Sequence, residues 1–295
     1  MSPVETSTTP EIDLQAWIGR TETATDTVTP QLAERLAATV ESTRTSLVKG
    51  DPLPQGWYSV LFPRVVPRSQ IGRDGHPALG DFLPPVPLPK RMFAGKRMQF
   101  IAPIVIGDDV ERVSEIAAVQ SKQGSSGPLV FVTLRHTIRN AQGVAVIEEQ
   151  DVVYRTAASS TGKAAPVAGQ AFQAEKVSAA LVADPVMIFR YSALCFNGHR
   201  IHYDQPYATG VEGYPALVVN GGLSTLCAIE HMHEAWGGRF KTLTTRNTSP
   251  LFAGQEFHIE SARGSAVDTL EFRVVTTEGK TAVAGSAVLQ PGSTS

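Results

Sequence analysis

The order of elements constrains this chain most: a helix signal followed by a meander of strand signals occurs twice along it. In the first half, Pro30–Val40 (PQLAERLAATV) places apolar residues at helical spacing, with Thr29 as a cap and proline at the first helical position. Strand-like runs follow at Arg97–Ile101, Asp109–Gln120, Leu129–Asn140 and Val144–Arg155, rich in Val, Ile, Phe or Thr and separated by Gly, Asp or Ser. In the second half, Leu217–Trp236 carries Gly221 and Gly222, then Leu223, Leu226, Ile229 and Met232 spaced for one buried helical face. Strands are expected after it at Thr242–Asn247, Glu256–Arg263, Thr269–Thr276 and Thr281–Leu289. The repeat of this grammar without evident identity between the halves reads as a structural duplication in an α+β fold. Two sheets set side by side would each hide an edge that otherwise invites aggregation.

Between the halves, Ala157–Glu175 (AASSTGKAAPVAGQAFQAE) is small and polar, as a surface linker is. The expected organisation is a flexible N-terminus at 1–11, an N-terminal domain at 12–156, a linker at 157–175, a C-terminal domain at 176–290 and a flexible end at 291–295. A length of 295 residues suits two domains.

Composition narrows the function. With 42% hydrophobic and 18% charged residues the chain is neither a disordered tail nor a polyelectrolyte. A net charge of -2 removes the usual electrostatic basis for binding nucleic acid. Cys195 and Cys227 cannot build a disulfide framework, and no Cys-x-x-Cys pair suggests zinc or redox chemistry. Met1 to Pro10 has neither a basic start nor an apolar run, and no stretch is apolar enough to span a bilayer. The expectation is a cytoplasmic protein with no membrane and no nucleic-acid partner.

Chemistry concentrates in Arg190–Leu223, RYSALCFNGHRIHYDQPYATGVEGYPALVVNGGL. Asn197, His199, His202 and Asp204 lie in a short run before the glycine-bearing helix, among Phe, Ile and Tyr, which implies a half-buried polar site. This run resembles the hydratase motif of MaoC-like (R)-specific enoyl-CoA hydratases, which reads Gly-Asp-x-Asn-Pro-apolar-His. Ile201 and His202 match its last two positions, and Asn197, five positions before His202, stands where the family has its Asp. Arg200, His199 and Phe196 replace the motif's Pro, Asn and Gly. FNGHRIHYD with YP-x-LVV-x-G-x-L is more similar to the branch holding mitochondrial-type 3-hydroxyacyl-thioester dehydratases and the mesaconyl-C4-CoA (3-methylfumaryl-CoA) and itaconyl-CoA hydratases. GRDGHPALGDFLPPVPLPKRMFAGKRMQF and GPLVFVTLRHTIRNAQGVAVIEEQDVVYR resemble that branch's degenerate N-terminal domain.

The resemblance implies a double hotdog: two antiparallel sheets, each wrapping a central helix, with the catalytic unit C-terminal and the first unit shaping an acyl pocket. It implies a hydro-lyase that adds water to an α,β-unsaturated acyl thioester, on CoA or acyl carrier protein, without a cofactor. Such chemistry needs a base for water, a proton for Cα and donors for the thioester oxygen. His202 is the expected base. Asn197 can orient water but cannot exchange a proton at neutral pH. Gly221 and Gly222 open the helix and are the expected oxyanion hole, while Asn220 holds a position often polar in relatives. Arg200, His199, Tyr191 and Arg91 are candidate substrate contacts, a guanidinium being suited to a substrate carboxylate or to CoA phosphates. His199 equally suits a loop hydrogen bond, and Asp204 a turn cap before Pro206.

The expected substrate is a branched C5-dicarboxyl thioester, mesaconyl-C4-CoA or itaconyl-CoA, giving citramalyl-CoA. Alternatives are a dehydratase for monocarboxylic chains, a non-catalytic acyl-thioester binding protein, and a thioesterase on the same fold. No metal is expected, because His199/His202 and His231/His233 lack further ligands at recognisable spacing. Nor is NAD, because Gly221–Gly222 and Gly237–Gly238 lack the dinucleotide fingerprint. The proline run Leu83–Pro89 is expected to form a rigid pocket wall, and a homodimer is a possible assembly.

Overall fold

The computed structural model describes residues 12–292, apart from 45, 125–126 and 157–171. Most of the expected linker and nearly all of both expected flexible ends lie outside the described residues. What is described of the linker's end is docked: Phe172 lies under the Arg273 guanidinium at 4.2 Å, and the Glu175 N–H donates to Ser261 O at 2.9 Å.

The N-terminal half comprises β1 (Thr21–Thr27), α1 (Pro30–Val40), β2 (Lys90–Phe100), β3 (Asp109–Gly124), β4 (Gly127–Asn140) and β5 (Gly143–Arg155). Helix α1 has its expected bounds, Thr29 Oγ1 accepting the Leu32 N–H. It buries one face, Ala33, Leu36 and Thr39. Strand β1 carries no sequence signal because TETATDT buries nothing fully on the outer edge of the sheet. Strand β2 begins well before the expected Arg97 because a bulge breaks its alternation. Phe93 pairs with Val152 and Gly95 with Asp151, so Ala94 is skipped. Arg91 and Phe93 thereby share a face with Lys96, Met98 and Phe100.

The C-terminal half holds the short strands β6 (Lys176–Val177) and β7 (Leu181–Val182), helices α2 (Pro185–Leu194), α3 (Gln205–Gly210) and α4 (Gly221–Trp236), then β8 (Phe240–Asn247), β9 (Glu256–Arg263), β10 (Thr269–Thr276) and β11 (Thr281–Leu289). The last three strands fall on their expected bounds. All strands join one sheet in the order β1-β3-β4-β5-β2-β8-β11-β10-β9-β6, with β7 also on β9. The halves meet edge to edge at β2 and β8, from Gly95↔Arg246 to Gln99↔Thr242.

Helix α4 departs from the expected single buried face, since every residue from Leu223 to Met232 is buried. One side packs on β9 and β10, and N-terminal residues cover another: Trp57 Nε1 donates to Glu230 Oε1 at 2.8 Å and Ser42 Oγ to Glu230 Oε2 at 3.1 Å. A single cluster of buried apolar side chains runs from Val28 through Trp57 and Met98 to Leu226, Phe257 and Leu289. A second lies under the N-terminal sheet around Ile116, Val132 and Tyr154, and takes in Phe82 and Val86 of the proline-rich run. Among the described residues no helix is long and apolar enough to cross a membrane.

Candidate active site

A cavity of about 1250 Å3 opens between the halves, and His202, Gly221 and Gly222 all line it. His202 ends a short 3-10 turn, Arg200–His202, and is buried. Its Nδ1 lies 2.7 Å from Val218 O, and a carbonyl only accepts, so Nδ1 carries the hydrogen and Nε2 keeps its lone pair. The Val218 N–H donates back to Ile201 O at 2.9 Å, tying this turn to the segment that leads three residues later into α4. Burial, partly offset by the Val218 carbonyl, lowers the His202 pKa to about 4, so the ring is neutral at physiological pH.

The first turn of α4 is open to a ligand. Asn220 occupies the cap position without capping; its carboxamide instead meets Ser192, with Nδ2 3.2 Å from the hydroxyl oxygen. The first helix N–H to find the Asn220 carbonyl is that of Ser224, at 3.2 Å. The N–H groups of Gly221, Gly222 and Leu223 have no acceptor among the described residues, the usual anion-accepting state of a helix start. Glycine is required by close approach: a Cβ on Gly222 would fall 2.2 Å from the Tyr191 hydroxyl and one on Gly221 2.6 Å from Asn247 Nδ2.

The remaining expected residues divide. Tyr191, His199, Arg91 and Asn197 line the cavity. Asn197 does so with its carboxamide oxygen already accepting the His199 N–H at 3.0 Å, in a turn closed by its own N–H on Ser192 O at 2.8 Å. Arg200 is not among the cavity-lining residues, and its expected substrate contact is corrected. Its Nε and Nη2 both donate to Asp204 Oδ2, at 2.9 and 2.7 Å, Nη1 donates to Arg73 O at 3.2 Å, and the guanidinium stacks on Tyr207 at 4.1 Å. Asp204 caps α3, accepting the Tyr207 N–H at 3.0 Å. Of the proline-run residues only Leu83 reaches the cavity.

The bulge in β2 decides which cations face inward. Arg91, Phe93 and Lys96 line the cavity together with Gln150 and Val152 of β5. Lys96 is paired with the buried Glu148 at 3.2 Å. Arg91 is half-buried and has no carboxylate within salt-bridge distance among the described residues.

The N-terminal half also supplies two residues that sequence reasoning missed, Asp74 and His76. A loop over 72–78 folds back on itself, the Gly72 N–H donating to His76 O at 2.7 Å, with Gly75 at φ +89°. It docks on the motif loop: the Arg200 N–H donates to Asp74 O at 2.8 Å, and a Cβ on Gly75 would fall 1.8 Å from Gly198 O. This seats the His76 ring against His199, centroids 4.0 Å apart, while His199 meets His202 at 5.3 Å. Asp74 Oδ2 lies 2.8 Å from His76 Nδ1 and Oδ1 accepts the His76 N–H at 3.0 Å.

Burial would raise the Asp74 carboxyl, but hydrogen bonds and charge from His76 hold it well below the usual range. Burial lowers the His76 pKa against the opposing pull of Asp74. His199, buried and flanked by His76 and His202, is pushed down to about 2. Asp74 and His76 from the N-terminal half and His199 offer ligand atoms within 4.8 Å of one another, a group that does not include His202. The His76 and His199 rings pack against each other tilted by 39°. His231 and His233 are structural, the first bonded to Ser261 Oγ at 3.1 Å and the second stacked on Phe240.

Comparison with known proteins sharpens this picture. Residues 56–253 match the family described as hydroxyacyl-thioester dehydratase type 2. The chain is 38% identical to a mesaconyl-C(4)-CoA hydratase of Chloroflexus aurantiacus, over 94% of this chain and 98% of that protein. It is 26% identical to a mitochondrial hydroxyacyl-thioester dehydratase type 2 of Schizosaccharomyces pombe, over 70% and 77%. Among solved structures it resembles a MaoC-like dehydratase with a TM-score of 0.71 at 14% identity, covering 94% of this chain and 99% of that one. It also resembles a Mycobacterium tuberculosis protein described as a double hotdog, TM-score 0.61 at 14% identity, covering 92% and 96%. The α+β double hotdog is thus the fold, its two sheets fused at β2 and β8.

Proposed function

The chain belongs to the hydroxyacyl-thioester dehydratase type 2 family, a hydro-lyase family acting on acyl thioesters, and from that premise we propose that it hydrates a C5-dicarboxyl enoyl-CoA of the mesaconyl-C4-CoA or itaconyl-CoA kind. The observation that carries this reading is the sharing of one cavity by a neutral imidazole, the unpaired N–H groups of Gly221 and Gly222, and a guanidinium with no carboxylate partner among the described residues.

In this reading the thioester oxygen lies at the start of α4, where the Gly221, Gly222 and Leu223 N–H groups and the helix dipole stabilise the charge that develops as water adds. His202 Nε2 takes the proton from water. Tyr191 and Asn197 shape the wall around the reacting carbons. Arg91 receives the terminal carboxylate, because a half-buried guanidinium with no carboxylate in salt-bridge distance is stabilised by an anionic ligand. The C-terminal half is then the catalytic unit and the N-terminal half supplies the acyl-pocket face, the division at 12–156 and 176–290 serving as the working boundary. The cavity, about 1250 Å3, exceeds the ~300–1,000 Å3 of common small-ligand sites and suits an acyl chain with part of a pantetheine arm. CoA is the carrier the reading favours. Both cysteines are free thiols, which suits the reducing cytoplasm.

A panel of enoyl-CoA esters with and without a terminal carboxylate, followed by loss of the conjugated thioester absorbance, tests the reading. Hydration of the dicarboxyl esters ahead of the rest supports it. Preference for plain chains would make the chain a monocarboxylic dehydratase, binding without absorbance loss a non-catalytic receptor, and release of free thiol a thioesterase.

A further inference from the structure

Building on the hydratase reading, we propose that His76, held by Asp74, is a second proton-transfer group of this site, delivering a proton to Cα of the thioester while His202 accepts one from water. Hydration moves two protons, one off water and one onto carbon. Asn197 can do neither, and its carboxamide oxygen is occupied by the His199 N–H. His76 lines the same cavity as His202, and the two rings are separated by at most the sum of the 4.0 Å and 5.3 Å steps through His199.

The surroundings assign the roles. Asp74 Oδ2 accepts from His76 Nδ1, which leaves Nε2 as that ring's free nitrogen and partly offsets the burial that disfavours its imidazolium. His202 Nδ1 faces only the neutral Val218 carbonyl, so His202 rests neutral with its Nε2 lone pair free to accept a proton. The groups acting on His76 are Asp74 on its own loop, Arg91 from β2, and the His199 and His202 rings from the loop after α2. His199 lacks a carboxylate partner and is flanked by two imidazoles, which excludes it as the acid.

In the step, a water O–H bond breaks with its proton passing to His202 Nε2, and the oxygen bonds to Cβ. The π pair of the double bond moves toward the thioester, whose oxygen the α4 N–H groups hold, and then returns to Cα to form a C–H bond with the proton from His76 Nε2. His202 ends protonated and His76 neutral, and exchange with bulk water resets both.

The test uses the full chain as His76→Gln and Asp74→Asn variants, with kcat, KM, pH profiles and melting temperature. His76→Gln is expected to lose about 10²–10⁴-fold in kcat, with KM held within about threefold. It also loses the alkaline limb of the kcat profile, where a proton-bearing His76 titrates. Asp74→Asn is expected to lower kcat and to move that limb to lower pH, because the carboxylate no longer supports the imidazolium; the shift of the limb decides the matter should His76→Gln melt early. A kcat for His76→Gln within about threefold of wild type, or an unmoved limb in Asp74→Asn, overturns the assignment. So does loss of wild-type activity on chelation with recovery on added zinc, which would make Asp74, His76 and His199 a metal site. A wild type inactive on every enoyl-CoA would sink the hydratase reading itself, whereas an active wild type with an undiminished His76→Gln sinks only this step.

Discussion

The ring of His76 packs against that of His199, tilted by 39° with centroids 4.0 Å apart, although the two residues come from opposite halves of the chain. The contact is made possible where Gly75 lies against the Gly198 carbonyl. One loop thus carries two acid-base side chains of the N-terminal half, Asp74 and His76, to the motif loop.

Gly75→Ala tests that docking. At φ +89° and with 1.8 Å to the Gly198 oxygen, a methyl group has no room, and the loop must move. A loss of about 1–3 kcal/mol and a fall in hydration rate larger than the fall in melting temperature explains are expected. Wild-type kcat in this variant would mean the loop is not part of the working site.

His202→Gln removes the base and is expected to lower kcat by about 10²–10⁴-fold with the fold intact. In the wild type the neutral ring is the active form, so kcat/KM should rise as pH passes upward through about 4 and the variant should lack that acid limb. Stopped assays across pH 3.5 to 6 give the comparison, within about one unit of the expected midpoint.

Arg91→Met separates recognition of the acid end from catalysis. A charge-assisted contact contributes about 1.5–3 kcal/mol, which is about 10- to 150-fold in kcat/KM for a dicarboxyl ester. Esters without a terminal carboxylate should change little. Equal losses on both classes would place the carboxylate elsewhere.

Gly222→Ala pushes a methyl group against the Tyr191 hydroxyl and should displace the first turn of α4. Mispositioned oxyanion donors cost about 2.7–4 kcal/mol each in other enzymes. The double variant with Tyr191→Phe removes the nearest clashing atom, leaving the ring carbon at 3.2 Å, and is expected to recover part of the rate. A double variant no better than Gly222→Ala would dismiss this clash as the cause.

Acid should destabilise the fold earlier than its carboxylates alone require. Burial lowers His136 and His202 to about 4, below the ordinary imidazole value of 6.5. The unfolded chain therefore binds more protons in this window, and stability, full above pH 6.5, is lost as pH falls toward 4. Each ring contributes up to about 1.4 kcal/mol per pH unit there. Melting temperatures from pH 7 to 4 should fall, and His136→Gln should flatten the slope; an unchanged slope would acquit that ring.

What was legible in the sequence was what local rules control. Helix α1 and strands β9 to β11 announced themselves because their caps, turns and alternation are local. His202 and the glycine pair were singled out through a motif, and the fold sets them on one cavity. Arg200 was misread because its partner Asp204 is one helical turn away and satisfies it, a pairing visible in the spacing. Asp74 and His76 were missed for a different reason. DGHP between glycines signals a turn, but nothing local says that this turn lands on Gly198. Arg91 was placed on the cavity side only by the extra residue at Ala94, which resets the alternation of β2.

The seam between β2 and β8 fixes how a ligand reaches this chamber. Five residue pairs lace the halves together, so the opposing walls cannot part like a clamshell without tearing the sheet. Phe189 and Phe196 line the same cavity and are each 62% exposed, and turning two benzyl groups is a far smaller motion than swinging a lobe.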